Sequence, residues 1–229
     1  MPLSNTKRVT LFCGHYGSGK TNIAVNYALA LRKAGHPVRI ADLDIVNPYF
    51  RTKDSEKELG DAGIELISPA FANTNVDLPA LPAAVYRMVQ QSDAMAVMDV
   101  GGDDRGAYAL GRYRPYILEE NNYEMLCVVN FYRPMTTTPE ETLCVMREIE
   151  AAAGIAFTGI VNNTNLGEAT TAEDIDSSQA KAAELAKMAG IPLKMTAVRA
   201  DLYEPCRALG VPALFPMELQ ARYFAVDES

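Results

Sequence analysis

Residues 14–21 read Gly14-His15-Tyr16-Gly17-Ser18-Gly19-Lys20-Thr21. This is G-x-x-x-x-G-K-[ST] with every fixed position filled. The glycines at 14, 17 and 19 let the backbone curl until successive N–H groups point inward, a nest for phosphate oxygens. A lysine at the end of such a nest neutralises β/γ oxygens, and a threonine hydroxyl after it is a magnesium ligand. A helix that starts there, with Asn22 in its first turn, adds the positive end of its dipole. The plain alternative is a glycine-rich strand-to-helix turn with an exposed lysine.

Two acidic segments could complete phosphoryl-transfer chemistry. In Ala41-Asp42-Leu43-Asp44-Ile45-Val46-Asn47-Pro48, the two aspartates alternate along an extended chain and so project to one side. One carboxylate can hold magnesium through water while the other orients a water that attacks a γ-phosphate. Asn47-Pro48 leaves a solvated turn as the other reading. Further on, the apolar run 94–98 delivers Asp99-Val100-Gly101-Gly102. An acid closing a buried strand is a second magnesium support, and Gly102 lets a backbone N–H approach the γ-phosphate. Loss of that phosphate would release the contact, so this loop is a candidate switch. A helix or turn cap is the alternative role for Asp99.

The elements that must position these groups alternate between strand-length apolar runs and helical patterns, which predicts a parallel sheet with helical crossovers. Strands are expected at 8–13, 38–41, 63–67, 94–98, 125–129, 157–161 and 193–198. Helices are expected at 20–34, 81–90, 108–120 (bent or interrupted at Pro115), 139–153 and 179–189. Short helices are expected after the last strand. The polar stretch 162–178 is long enough to be a functional loop. The expectation is a three-layer α/β sandwich with a mostly parallel sheet of about seven or eight strands, built as a single domain over residues 1–229.

Apolar residues make up 48% and charged residues 22%, which excludes wholesale disorder. The net charge of −8 disfavours general nucleic-acid binding and anionic membrane surfaces. Any polyanion must therefore be held by local geometry. Cys13, Cys127, Cys144 and Cys206 form no C-x-x-C pair, so a zinc ribbon or redox dithiol of ordinary spacing is not expected. Residues 1–6 have no apolar signal core, and the apolar run after Thr21 is too short to span a membrane. A cytoplasmic setting is the expectation.

Taken together, GHYGSGKT at 14–21, DLD at 42–44 and DVGG at 99–102 resemble the MinD/ParA-like branch of P-loop NTPases, the group that also holds the nitrogenase iron protein, the arsenite-pump ATPase and the cobyrinate amidases. Gly159-Ile160-Val161-Asn162-Asn163 looks like the strand-ending asparagine that reads adenine in that group, with Asn163 the better match and Asn162 the second choice. Ala197-Val198-Arg199-Ala200-Asp201 looks like the loop that packs on the base. The order of elements agrees over roughly residues 8–215. The resemblance implies Mg-ATP as ligand and face-to-face, nucleotide-dependent homodimers. It puts Lys20 and the loop amides on the phosphates and Thr21 on magnesium. Asp42 and Asp99 support that ion through water, and Asp44 positions the attacking water.

One departure matters. Much of this family carries a second lysine directly after the loop's first glycine, and here that position is His15. Histidine is shorter and mostly neutral at pH 7. His15 either stands in that role or packs under the loop, and Arg51, Arg105 and Arg133 are the candidate replacement cations. Paired cluster cysteines, a nickel-loading C-x-C and a basic C-terminal membrane helix are missing from the sequence. The expected function is a cytoplasmic, Mg²⁺-dependent ATPase acting as a nucleotide switch on a protein or metallocentre client. A small-molecule kinase or ligase, or a nucleotide-gated module with little hydrolysis, are the alternatives. Tyr108, Tyr113 and Tyr116 with Arg112 and Arg114 read either as a partner face or as amphipathic helix packing. Cys13 reads as a small buried hydrophobe.

Overall fold

The computed structural model describes residues 6–43, 55–68, 80–90, 93–101 and 104–219. Asp44, Arg51 and Gly102 lie outside the described residues, as do the side chain of Arg105 and the chain beyond residue 219.

The strands are β1 (Val9–Cys13), β2 (Val38–Leu43), β3 (Glu65–Ile67), β4 (Met95–Val100), β5 (Tyr123–Val129), β6 (Gly159–Asn162), β7 (Leu193–Arg199) and β8 (Leu214–Met217). The helices are α1 (Lys20–Lys33), α2 (Glu56–Asp61), α3 (Ala80–Val89), α4 (Asp104–Gly111), α5 (Arg114–Glu120), α6 (Pro139–Ala153), α7 (Ala172–Ala189) and α8 (Tyr203–Ala208). All eight strands join one sheet in the order β3-β2-β4-β1-β5-β6-β7-β8, and every pairing is parallel.

Side chains alternate across the sheet with period two, and the two faces bury different helices. Leu11, Ala41, Met98 and Met125 face a core completed by α3 to α7, with Met88, Leu110, Ile117, Met146 and Leu185 packed on them. Phe12, Ile40, Val97, Leu126 and Val161 face the opposite side, where α1 contributes Ile23, Tyr27 and Leu31 and α2 contributes Leu59. Near-continuous apolar strands are what a sheet covered on both faces requires. β1 lies between β4 and β5, so the chain leaves it toward β2 on one side and returns to β5 on the other. Ligands of open α/β sheets bind beyond the carboxyl ends of strands at such a reversal.

Three expectations need correction, and the strand count is settled at eight. The polar run 162–178 is not all loop, because α7 begins at Ala172. Thr171 and Asp174 form a reciprocal capping box, and Ala172 and Ile175 open the buried stripe, so capping outweighs polar composition. The helix expected over 108–120 is two, with Pro115 in the first turn of α5, where its missing N–H costs nothing. An eighth strand, Leu214–Met217, follows the seventh and completes the seven or eight expected; Pro216 is tolerated there because β8 is the sheet edge. Finally, β2 and β4 run past their expected ends, so Asp42 and Asp99 are inside strands rather than beyond them. Among the described residues, no helix is long and apolar enough to cross a membrane.

Candidate functional site

The glycine-rich loop leaves β1 and enters α1. Gly14, Gly17 and Gly19 have φ of +148°, +75° and +89°, a region that side chains rarely adopt. A Cβ on Gly14 would sit 2.3 Å from the Val128 carbonyl oxygen of β5, so the loop is pressed onto the neighbouring strand end. The Ser18 N–H donates to the His15 carbonyl at 3.2 Å and closes the turn. Gly19 caps α1 with no side-chain bond and no acid follows in the first turn, so the helix's positive end faces the loop uncompensated. Lys20 and Thr21 are buried, and Lys20 Nζ donates to the His15 carbonyl at 3.3 Å, folding back over the loop it follows. Asn22 turns away, its amide Nδ2 lying 3.3 Å from the Met217 sulfur.

Asp42 of β2 and Asp99 of β4 are register partners on adjacent parallel strands, 1% and 0% exposed. Adjacent strands are about 4.8 Å apart. By the strand alternation both acids lie on the α1 face, since Ile40 and Val97, two residues before them, pack against α1. Two carboxylates side by side away from water repel each other unless a cation or a proton lies between them. This donor set fits a hard divalent cation: Thr21 at the start of α1 with Asp42 and Asp99 at the strand ends beneath it. Among the described residues, no cluster of three or more His, Cys, Asp or Glu forms a protein-only metal site.

The two asparagines ending β6 differ. Asn162 spends its whole amide inside the fold: Nδ2 donates to Ser178 Oγ at 2.7 Å, and Oδ1 accepts from the Thr164 N–H and hydroxyl at 3.2 and 2.7 Å. Asn163 reaches the loop, Nδ2 donating to the Ser18 carbonyl at 2.7 Å, and its buried Oδ1 has no hydrogen bond among the described residues. Arg199, expected near a base, pairs with Asp201 at 2.5 Å and donates to the Gly167 and Glu168 carbonyls at 3.3 and 2.9 Å. It ties β7 to the segment between β6 and α7.

His15 is half-buried, and burial, then the nearby Lys20 charge, holds its imidazole below the usual histidine range. Tyr16 is 57% exposed at the loop surface. Cys13 and Cys127 are register partners below the loop; burial pushes both thiols up, Cys127 to about 12, so neither is a reactive thiolate.

The sequence marks Asn130 to Pro134 as closing a strand at the same sheet edge, with Arg133 a candidate cation, but the side-chain network that carries this loop is not legible in it. The Asn130 side chain accepts from the Tyr132 N–H at 3.0 Å and donates to the Asn165 carbonyl at 3.0 Å, while Thr164 Oγ1 accepts from the Phe131 N–H at 3.2 Å. The signal available was a polar residue immediately after each apolar strand. This network sets Arg133 beside the loop: a Cβ on Gly17 would be 3.4 Å from Arg133 Nε and 3.6 Å from Cδ and Cζ. Gly106 was also overlooked. A Cβ there would lie 2.6 to 2.8 Å from the backbone of Gly101, at the end of the Asp99 strand.

No family model and no curated protein matches the sequence. Solved structures do match its fold. The cell division protein FtsY of Thermotoga maritima superposes with a TM-score of 0.59 at 18% identity, over 83% of this chain and 61% of that one. FtsY of Mycoplasma mycoides gives 0.56 at 17% identity, over 83% and 59%. The signal recognition particle 54 kDa protein of Aeropyrum pernix, in complex with GDP, gives 0.54 at 14% identity, over 97% and 44%. The chain thus spans about 60% or less of the length of these structures. At such identities the likeness is one of fold, and the fold is the α/β P-loop NTPase fold. These neighbours support the P-loop NTPase class of fold and lend no specific support to the MinD/ParA branch.

Proposed function

We propose that the protein binds a nucleoside triphosphate with Mg²⁺ at the glycine-rich loop and hydrolyses it as a conformational switch on a client. The observation that carries this reading is the Asp42–Asp99 register pair, buried on the face of the sheet that α1 covers, with Lys20 and Thr21 opening that helix. The loop amides and Lys20 take the β- and γ-phosphates. Thr21, Asp42 and Asp99 would hold magnesium, which when bound neutralises charge on the phosphate oxygens. Asp44 orients the attacking water, and the Gly102 N–H senses the γ-phosphate. Asn163 keeps the loop in shape from the base side, and Arg199 fixes the segment beside it.

ATP is the triphosphate the MinD/ParA resemblance favours, and a nucleotide-dependent homodimer acting on a protein or metallocentre follows from the same resemblance, with the cytoplasm the setting that cysteine usage favours. GTP is the competing ligand, because one fold neighbour holds GDP. A second reading, a small-molecule kinase or ligase, is favoured by His15, whose imidazole is held neutral where the resemblance expects a lysine. Calorimetry with Mg·ATP and Mg·GTP, followed by phosphate-release assays, tests all of these. Binding of either triphosphate with phosphate release in the absence of a metabolite supports the switch. Turnover only with an added acceptor supports the kinase or ligase. No binding of either nucleotide overturns the proposal.

A further inference from the structure

Among the described residues, Arg133 lies against the phosphate loop from another element. Arg133 stands in the turn after β5, and its Nε, Cδ and Cζ are within 3.4 to 3.6 Å of where a Gly17 Cβ would be. Gly17 is the middle glycine of the nest, so the guanidinium lies along the rim of the phosphate cradle.

The turn that holds it is fixed on both sides. The Arg133 N–H donates to the Asn130 carbonyl at 3.1 Å, and the Thr136 N–H returns to the Arg133 carbonyl at 3.2 Å. Thr136 Oγ1 donates to the Asn130 carbonyl at 2.9 Å, and Asn130 is tied to the β6 loop through Asn165. Met135, in the same turn, holds a left-handed φ of +64°, a conformation that costs a non-glycine residue about 1 kcal/mol or more. Among the described residues, the Arg133 guanidinium has no hydrogen bond and no ion pair, although the chain carries a net charge of −8. Arg8, Arg39, Arg147, Arg199 and Arg207 are each paired with an acid.

An arginine on a pinned turn, laid against the cradle and left without an anionic partner, fits a polyanion that is to bind there. His15 cannot supply that charge, since burial and Lys20 keep its imidazole neutral at pH 7. We infer that Arg133 contacts the terminal phosphate of a bound nucleoside triphosphate from within the same chain, supplying in cis the second positive charge that the loop lacks at His15. The planar fork of the guanidinium suits two oxygens of one phosphoryl group, where a lysine offers a point charge. Magnesium and Lys20 can hold a diphosphate without Arg133, so the arginine distinguishes triphosphate from diphosphate.

This inference rests on the proposed nucleotide site, and its test separates the two. Wild-type protein, Arg133→Ala and Arg133→Lys are titrated by calorimetry with Mg²⁺ and the β,γ-imido analogues of ATP and GTP, and in parallel with ADP and GDP. Arg133 is exposed, so the variants are expected to fold, and a matching melting temperature verifies it. Arg133→Ala is expected to bind the triphosphate analogue about tenfold or more weakly, the value of one or two charge-assisted hydrogen bonds, with diphosphate affinity unchanged. Arg133→Lys should recover part of the loss, and free guanidinium should restore part of the Arg133→Ala turnover. If wild-type protein binds triphosphate and Arg133→Ala matches it, or if the alanine variant weakens tri- and diphosphate equally, the arginine role falls while the nucleotide site stands. If wild-type protein binds neither base as triphosphate, the site and the inference fall together.

Discussion

Asn163 Nδ2 donates to the Ser18 carbonyl at 2.7 Å, joining the end of β6 to the loop that ends β1. The two residues are separated by β5 in the sheet, so this bond bridges two strand ends that do not pair. It fills the space on Gly19 that a side chain would take: a Cβ there would be 2.3 Å from the same nitrogen. The absence of a Cβ at Gly19 and the presence of an amide at Asn163 are one packing arrangement.

Asn163→Ala therefore removes a buried hydrogen bond to the Ser18 carbonyl and is expected to cost about 1–3 kcal/mol. Thermal unfolding measures that loss, and nucleotide affinity should fall with it as the loop loosens. Gly19→Ala should be worse, since φ at that position is +89° and the new methyl meets the Asn163 amide. A Gly19→Ala protein with wild-type melting temperature and affinity would show that the amide is free to step aside.

Asp99→Asn keeps the shape of the side chain and removes one of the two neighbouring buried charges. The expected outcome is loss of the magnesium-dependent part of triphosphate affinity, while any affinity that persists in chelator is retained. Calorimetry with and without Mg²⁺ checks this. An unchanged magnesium dependence would remove Asp99 from the cation site. Asp42→Asn should behave alike, because the two residues share one register position.

Much of this arrangement was legible in the sequence because it is carried by local rules. Gly14 through Thr21 announce a nest by spacing alone, and Pro139 with Glu140 and Glu141 marks the start of α6 to the residue. Where local rules compete, the sequence reading went wrong. Thr171 and Asp174 were absorbed into a polar loop because composition was weighed above the capping box. The placing of β8 was not legible, because an edge strand cannot be told from a central one before the sheet is assembled. The contacts of Asn163 with Ser18, Arg133 with Gly17 and Gly106 with Gly101 were beyond reach for the same reason. They join residues far apart in the chain, and only the strand order brings them together.

Gly106→Ala tests the join between α4 and the end of β4. Alanine favours a helix by about 1 kcal/mol over glycine. Against that, the methyl would sit 2.6 to 2.8 Å from the Cα, O and N of Gly101. No rotamer relieves a clash with backbone, so the overpacking cost of about 1–3 kcal/mol falls at its upper end and outweighs the propensity gain. The melting temperature should drop. Magnesium-dependent binding should weaken too, because Gly101 follows the Asp99 strand into the candidate switch. A stabilised variant would mean that α4 shifts freely on the sheet.

The His15 imidazole gives a pH dependence with a definite sign. Burial and Lys20 lower its proton affinity in the folded state below the unfolded value of 6.5. The unfolded chain then takes up the proton first, so stability is fully present above about pH 6.5 and declines as pH falls toward the lower folded value. His15→Gln cannot titrate, and the difference in melting temperature between it and wild type should change between about pH 7 and about pH 5, with wild type losing more on acidification. A difference that is flat across this range would place His15 in solvent, free of Lys20.

Lys20→Ala and Asp44→Ala divide binding from chemistry. Lys20 is buried at the start of α1, with its ammonium folded back onto the His15 carbonyl, so its charge is already in place over the nest before any ligand arrives. Removing it should weaken triphosphate and diphosphate binding together, since both present a β-phosphate to the loop. Asp44 lies outside the described residues, and its role is the one the MinD/ParA resemblance implies for that position. Its alanine variant should bind Mg·triphosphate as wild type does and lose turnover, because orienting the attacking water matters only once the phosphates are seated. Phosphate release at the wild-type rate from Asp44→Ala would exclude it as the water-positioning residue and direct the search to another group near the γ-phosphate.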